Sequence, residues 1–363
     1  MSGPHAGFLS LAVNFPRGVR TNAYWRERHP AMVAGQADRN LSRVWSPPAD
    51  LTPGESAFAE AMAPYVADPF RGAVARRVLA PEETVLSMDL PAARAALDAA
   101  GVSARDVDLL IASSFLPDQP GLGNAAFLAN ALSLRCPAWN VEAACSGALV
   151  ALENACALVR SGPYERVLVV VSCGYSKTNP ETDTLSWSVG DGATAFVVGR
   201  VPAGEGVLGM KTVHTADRCR AMYYEFALGE AGPAVVMRAG REAAAALRET
   251  SERALVACCE GAAARAGVSL ADVDFFVVPT PVAWYARFAA KLLGFPEERT
   301  ISTHHLYANT GPVLMPANLY HAALEGKVRP GSLVMLHTVG IVSNASAAVV
   351  RWGEVGLGPA PAG

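Results

Sequence analysis

Cys145 stands in the segment NVEAACSGALVAL, where an extended run turns into an apolar helix. A sulfur at a helix head meets unpaired backbone N–H groups and the positive end of the helix dipole. Both favour thiolate over thiol, so the position predicts nucleophilic chemistry at this sulfur. Ser146 and Gly147 are small and leave a substrate room to approach. The other six cysteines, Cys136, Cys156, Cys173, Cys219, Cys258 and Cys259, lack such a setting and read as buried and inert. Seven is an odd number, no CxxC pair occurs, and Cys258 and Cys259 are adjacent. That pattern predicts a reduced cytoplasmic protein with no disulfide framework and no bound metal.

The second chemical residue comes from a duplication. Residues 100–114 (AGVSARDVDLLIASS) and 266–280 (AGVSLADVDFFVVPT) agree at seven of fifteen positions. Each copy follows an alanine-rich helical stretch (91–100 and 241–266), turns at Gly101 or Gly267, and enters an apolar run of strand type. Downstream, Cys145-Ser146-Gly147 opens a helix ending near Gly162, and Asn309-Thr310-Gly311 opens one ending near Gly326, at equal spacing. Strands are expected after both, at 166–172 and 332–338. Two halves with one order of elements predict a pseudo-two-fold α/β structure, with runs such as VLVVV at 167–171 buried on both faces. Asn309 then matches Cys145. Two equivalent helix heads aimed at a shared crevice would bring sulfur and amide into one site.

Composition bounds the rest. A chain of 363 residues can bury a large core, and with 51% apolar and 17% charged residues it should fold. A net charge of −3 argues against nucleic-acid binding, which needs a basic surface. No apolar run approaches the roughly 20 residues that span a bilayer, and residues 1–7 lack the pattern of a signal peptide.

Several segments together resemble the ketoacyl-acyl-carrier-protein synthase III family of the thiolase superfamily. VEAACSGALVALENACALVRSG looks like its nucleophile segment, and VGDGATAFVVG (189–199) like its GDGA turn and strand. APEETVLSMDLPAARAAL (80–97) resembles the segment after the first strand region. FFVVPTPVAWYARFAAKLLG (275–294) stands where the family has VPHQAN, and YANTGPVLMPANLYHAALEGKVRPGSLVML (307–336) where it has HGNTSAAS with the helix and strand beyond it. The match covers about residues 70–351. It implies a thiolase-like fold of duplicated halves in five αβαβα layers, and a homodimer. The halves would be 1–200, carrying Cys145 and a cap-like insertion around 16–66, and 201–363, carrying Asn309. The resemblance also implies a tunnel for the phosphopantetheine thioester of coenzyme A or an acyl carrier protein, with no permanently bound cofactor. Cys145 would take the acyl group, with its own backbone N–H and that of Ile341 as oxyanion donors. Gly340, Trp284 and Arg287 would lie along the substrate path.

The chain departs from the family at one chemical position. Thr280 stands where the family has its histidine, and a hydroxyl cannot act as base or cation near neutral pH. It could donate a hydrogen bond to a thioester carbonyl. Gly340-Ile341-Val342 replaces a run of glycines. His337, three residues before Gly340, is the first candidate for a replacement base, ahead of His305 and His304, although each of the three reads first as structural or exposed; His214 and His321 have no motif support, and His5 and His29 lie outside the recognisable match. Acyl loading needs a nucleophile and an oxyanion hole, whereas decarboxylative condensation also needs a donor for the developing enolate. The reading is therefore acyl transfer through acyl-Cys145 to a second acceptor, a small molecule or a carrier-bound group, in polyketide-type secondary metabolism. The alternatives are decarboxylative Claisen condensation and a catalytically silent partner subunit. Arg71, Arg76 and Arg77 are candidates to meet an acidic carrier or a coenzyme A phosphate, and the aromatic, proline-bearing stretch 16–66 to cap the tunnel.

Overall fold

Strands β4 (Leu109–Phe115) and β6 (Arg166–Gly174) are buried almost end to end, as their unbroken apolar runs require. The computed structural model describes residues 5–35, 41, 44–45, 56–229 and 232–361. In it these strands form the centre of a six-stranded sheet with β1 (His5–Asn14), β5 (Ala138–Asn140), β7 (Asp191–Val201) and β14 (Gly356–Leu357), in the order β14-β1-β7-β6-β4-β5. A second, four-stranded sheet runs β11-β12-β13-β8, from Phe275–Val277, Leu333–Thr338, Asn344–Arg351 and Gly206–His214.

The duplication is visible in the pairing. β4–β6 and β11–β12 are parallel, whereas β6–β7, β7–β1, β12–β13 and β13–β8 are antiparallel. The two sheets therefore share one order and one set of directions, with β14 returning from the C-terminal end to pair with β1. Helix Val85–Ala100 packs on the outside of the first sheet. It starts earlier than residue 91, because Thr84 and Ser87 cap it reciprocally. A helical rod of Ala243–Glu249, a π-turn over Thr250–Ala254 and Leu255–Ala266 covers the second sheet. Between the sheets lie Gly147–Ser161 and Leu314–Leu324, each touching strands of both. These are the five αβαβα layers. Gly101 and Gly267, ending the two outer helices, both take left-handed φ, near 62° and 70°.

The cap-like region is more ordered than its composition predicts. β2 (Gly18–Thr21) pairs with β3 (Ala75–Val78), and Asn22–Arg28, Pro30–Ala34 and Ala57–Met62 are short helices. Pro47, Pro48 and Pro53 lie outside the described residues. A separate hairpin, β9 (Met222–Gly229) and β10 (Gly232–Ala239), stands apart from both sheets. Among the described residues no helix is long and apolar enough to cross a membrane.

Candidate active site

Both helix heads end in a tight turn preceded by a backbone held at positive φ. Ala144 (φ 46°) comes just before Cys145, and Ala308 (φ 54°) just before Asn309. An L-residue there costs about 1–3 kcal/mol, so both turns store strain at matched places. The two helix heads meet at Gly147, where a side chain would strike Ser113 Oγ and reach Pro312. As a result Cys145 and Asn309 line one cavity of about 60 Å³. Most of its remaining wall is apolar: Val44 and Trp45 from the cap, Met222 and Met237 from the hairpin, and Leu314. Ala308→Gly should stabilise the fold by about 1 kcal/mol, since glycine takes this backbone without strain; chemical denaturation would measure it.

Burial pushes the Cys145 thiol up to about 11, with the Tyr175 hydroxyl, which donates to the sulfur, and the backbone N–H offsetting part of it; the Glu142 charge adds to the rise. Two units are worth roughly 3 kcal/mol, against ~0.3–1 kcal/mol for a helix terminus. The expected thiolate bias is overridden: the resting sulfur is a thiol. Among the other cysteines, Cys156, Cys173, Cys258 and Cys259 are buried, Cys136 is half-buried, and Cys219 is exposed, against expectation.

Asn309 is fixed by its backbone. Its N–H donates to Ser188 O and its carbonyl accepts from Gly190 N–H, both at 2.9 Å. Its Oδ1 accepts from Gly311 N–H at 2.9 Å, which leaves the Nδ2 donor for a ligand. The loop carrying Val339 and Ile341 forms the opposite wall. Ile341 N–H donates to no backbone acceptor among the described residues. Gly340 does not line the cavity; its carbonyl accepts from Thr215 Oγ1, and a side chain there would strike Asn344 O and Ser146 Oγ. Ser146 Oγ donates to Asn344 O at 2.8 Å, tying the Cys145 turn to the second sheet. The GDGA carboxylate, Asp191, accepts from Leu79 N–H and Ser176 N–H, so it braces loops.

Several expected site residues lie elsewhere. Pro279 and Pro281 line the cavity while Thr280, between them, turns away. Its hydroxyl accepts from Asn318 Nδ2 at 3.2 Å and its carbonyl meets His304 Nδ1 at 2.8 Å. It is not placed to donate to a thioester. Trp284 is fully buried behind Trp45, edge-on to it at 5.8 Å, and Arg287 sits on the surface 3.8 Å from Glu297. Neither touches the cavity. Arg71 and Arg76 are also buried, not poised for a carrier. Arg71 donates to the carbonyls of Val66 and Asp68. Arg76 lies over Trp25 and Phe70 and donates to Trp187 O, and burial lowers it to about 9. Tyr175, missed in the sequence, follows β6, whose C-terminal end opens on the crevice.

His337 is sealed within β12 and is not among the residues lining this cavity; among the described residues neither ring nitrogen has a well-formed hydrogen bond. Burial lowers it to about 3, and likewise lowers His304 to about 4. Both stay neutral when folded, so below their ordinary value the unfolded chain binds more protons. Stability should fall as pH drops from about 6.5 toward 4, by about 1.4 kcal/mol per unit per group. His337→Leu should flatten that acid limb of the melting temperature.

Two family models match: 3-oxoacyl-[acyl-carrier-protein (ACP)] synthase III over residues 139–216, and its C-terminal part over 263–352. A β-ketoacyl-[acyl-carrier-protein] synthase III of Rhizobium rhizogenes is 32% identical over 295 residues, covering 78% of this chain and 89% of the relative. The synthase III structure from Thermus thermophilus aligns with a TM-score of 0.74 at 24% identity, covering 96% of this chain and 99% of that one. The priming β-ketosynthase of the R1128 polyketide pathway aligns with 0.77 at 20% identity, covering 97% of each. The Cys145 turn, its asparagine twin and the layered fold thus coincide with extended sequence similarity, and the chain belongs to the 3-oxoacyl-[acyl-carrier-protein] synthase III family.

Proposed function

We propose that this protein transfers an acyl group from a phosphopantetheine thioester, on coenzyme A or an acyl carrier protein, through acyl-Cys145 to a second acceptor. The observation that carries this reading is a cavity holding one nucleophilic sulfur and one amide donor but no imidazole. Loading exchanges one thioester for another, a step close to neutral in energy. The Cys145 sulfur attacks the carbonyl carbon, Ile341 N–H and the Cys145 N–H face the developing oxyanion, and the thiol proton leaves with the departing pantetheine thiol. The small apolar cavity keeps water from the acyl-enzyme. Polyketide or fatty-acid-type metabolism is the setting we propose.

Condensation asks for more: an enolate forms as carbon dioxide leaves, and Asn309 Nδ2 is the donor we assign to it. The relatives' shared name as β-ketoacyl synthases keeps that reaction as the competing reading. Intact-mass spectra after exposure to acyl thioesters, followed by a malonyl thioester, test both. An acyl adduct on Cys145 without carbon dioxide release supports plain transfer. A lengthened product with carbon dioxide release establishes condensation instead. An absence of any adduct points to a silent partner subunit.

A further inference from the structure

Among the described residues lining the Cys145 cavity, Tyr175 is the one besides the cysteine whose side chain titrates. Glu142, Cys173 and Tyr224, whose charges are felt by the pair, lie outside that cavity. Ser188, the remaining hydroxyl on the wall, is spent on Leu185 O at 3.1 Å. Tyr175 is 2% exposed, and its hydroxyl reaches the Cys145 sulfur.

The phenol is held on several sides. Its backbone carbonyl accepts from Thr178 and Asn179 N–H, both at 3.1 Å, and from Asn179 Nδ2 at 3.0 Å, which fixes the turn after β6. Its ring packs edge-on to Phe115 at 5.5 Å. Gly311 of the Asn309 turn faces the same ring: a Cβ there would come within 3.4 Å of Tyr175 Cε2 and 3.1 Å of Cys173 Sγ. Glycine at 311 thus lets the ring lie against the second helix head while its hydroxyl meets the sulfur at the first.

Resting on the acyl-transfer reading above, we propose that Tyr175 is a catalytic residue, relaying the proton from the attacking to the departing atom in both half-reactions. In loading, Cys145 Sγ bonds the acyl carbon and passes its proton to Tyr175 Oη, while the Tyr175 hydroxyl proton passes to the pantetheine sulfur. The donor's C–S bond breaks, its electron pair stays on that sulfur, and the phenol is left neutral. In discharge the acceptor's proton goes to Oη and the hydroxyl proton to Cys145 Sγ as its C–S bond breaks. Attacking and departing atoms are bonded to one carbon in the tetrahedral adduct, so a hydroxyl that touches one is within reach of the other. A phenol accepts and donates at once, the service this cavity lacks for want of an imidazole. Burial disfavours thiolate and phenolate alike. A relay through neutral groups avoids separating charge within apolar walls.

The test compares donors whose leaving thiols differ in acidity. Wild-type and Tyr175→Phe enzymes are mixed in single turnover with acetyl-, butyryl- or octanoyl-coenzyme A, and with the S-(4-nitrophenyl) thioesters of the same acids. Acyl-Cys145 is timed by peptide mapping. Phenylalanine keeps the ring and its packing. It should slow loading from the coenzyme A thioesters about a hundredfold. The nitrophenyl thiolate leaves without needing a proton, so with that donor the deficit should shrink to about tenfold. Each protein supplies its own ratio of the two rates, so a misfolded fraction of the variant does not alter the comparison. Equal loading by wild type and Tyr175→Phe, or the same deficit with both kinds of donor, overturns the inference while leaving acyl-Cys145 intact. Failure of wild-type enzyme to load from any coenzyme A thioester overturns the acyl-transfer reading and this inference with it.

Discussion

Cys145→Ala is expected to abolish acyl-enzyme formation, leaving no adduct at residue 145 with any thioester donor. The reason is the cavity's inventory. Its other hydroxyl bearers are Tyr175, whose pKa burial raises well above the usual value, and Ser188, which donates to Leu185 O. Neither is an activated nucleophile. Because Cys219 is exposed, chemical acylation there would mimic loading, so the measurement is peptide mapping. The same sulfur should show its burial in its pH profile. With the thiol pushed up to about 11, thiolate is the minor form at neutral pH. Alkylation of Cys145 should therefore climb about tenfold per pH unit until close to that value. An early plateau near neutral pH would mean that the helix head dominates after all.

What the sequence disclosed was order along the chain; what it concealed was direction in space. Cys145 and Asn309 could be matched because each opens a helix at the same step of a repeated pattern, and a repeat in sequence becomes a repeat in sheet order. Thr280 was located correctly but not oriented. Side chains along an extended segment alternate in direction, so with Pro279 and Pro281 on the cavity side the residue between them faces Asn318. Arg71 and Arg76 read as surface because arginine seldom goes inside without a carboxylate. Here backbone carbonyls hold Arg71, and the faces of Trp25 and Phe70 pack on Arg76, a pattern no local window reveals. Tyr175 and Trp45 come to the site from two separate segments, and their convergence exists only in the folded chain.

Asn309→Ala should separate the chemistry from the scaffold. The side chain offers one donor, Nδ2, to the cavity and spends its oxygen on Gly311 N–H. Truncation leaves that N–H unpaired, at a cost of about 1–3 kcal/mol. The backbone bonds to Ser188 and Gly190 survive, so the turn should keep its shape. The lost donor acts where negative charge gathers during reaction, and removing one such donor typically slows turnover about a hundred- to a thousandfold. Acyl-Cys145 should still form, because Ile341 N–H and the Cys145 N–H remain to meet the loading oxyanion. Single-turnover mixing, with loading and discharge timed separately, distinguishes the possibilities. Slow discharge with near-normal loading fits an amide that acts on the second substrate. If both steps slow together, Asn309 belongs to the loading oxyanion hole. A lower melting temperature with unchanged rates would reduce the residue to a brace, and the symmetry between the two helix heads would then be architectural rather than chemical.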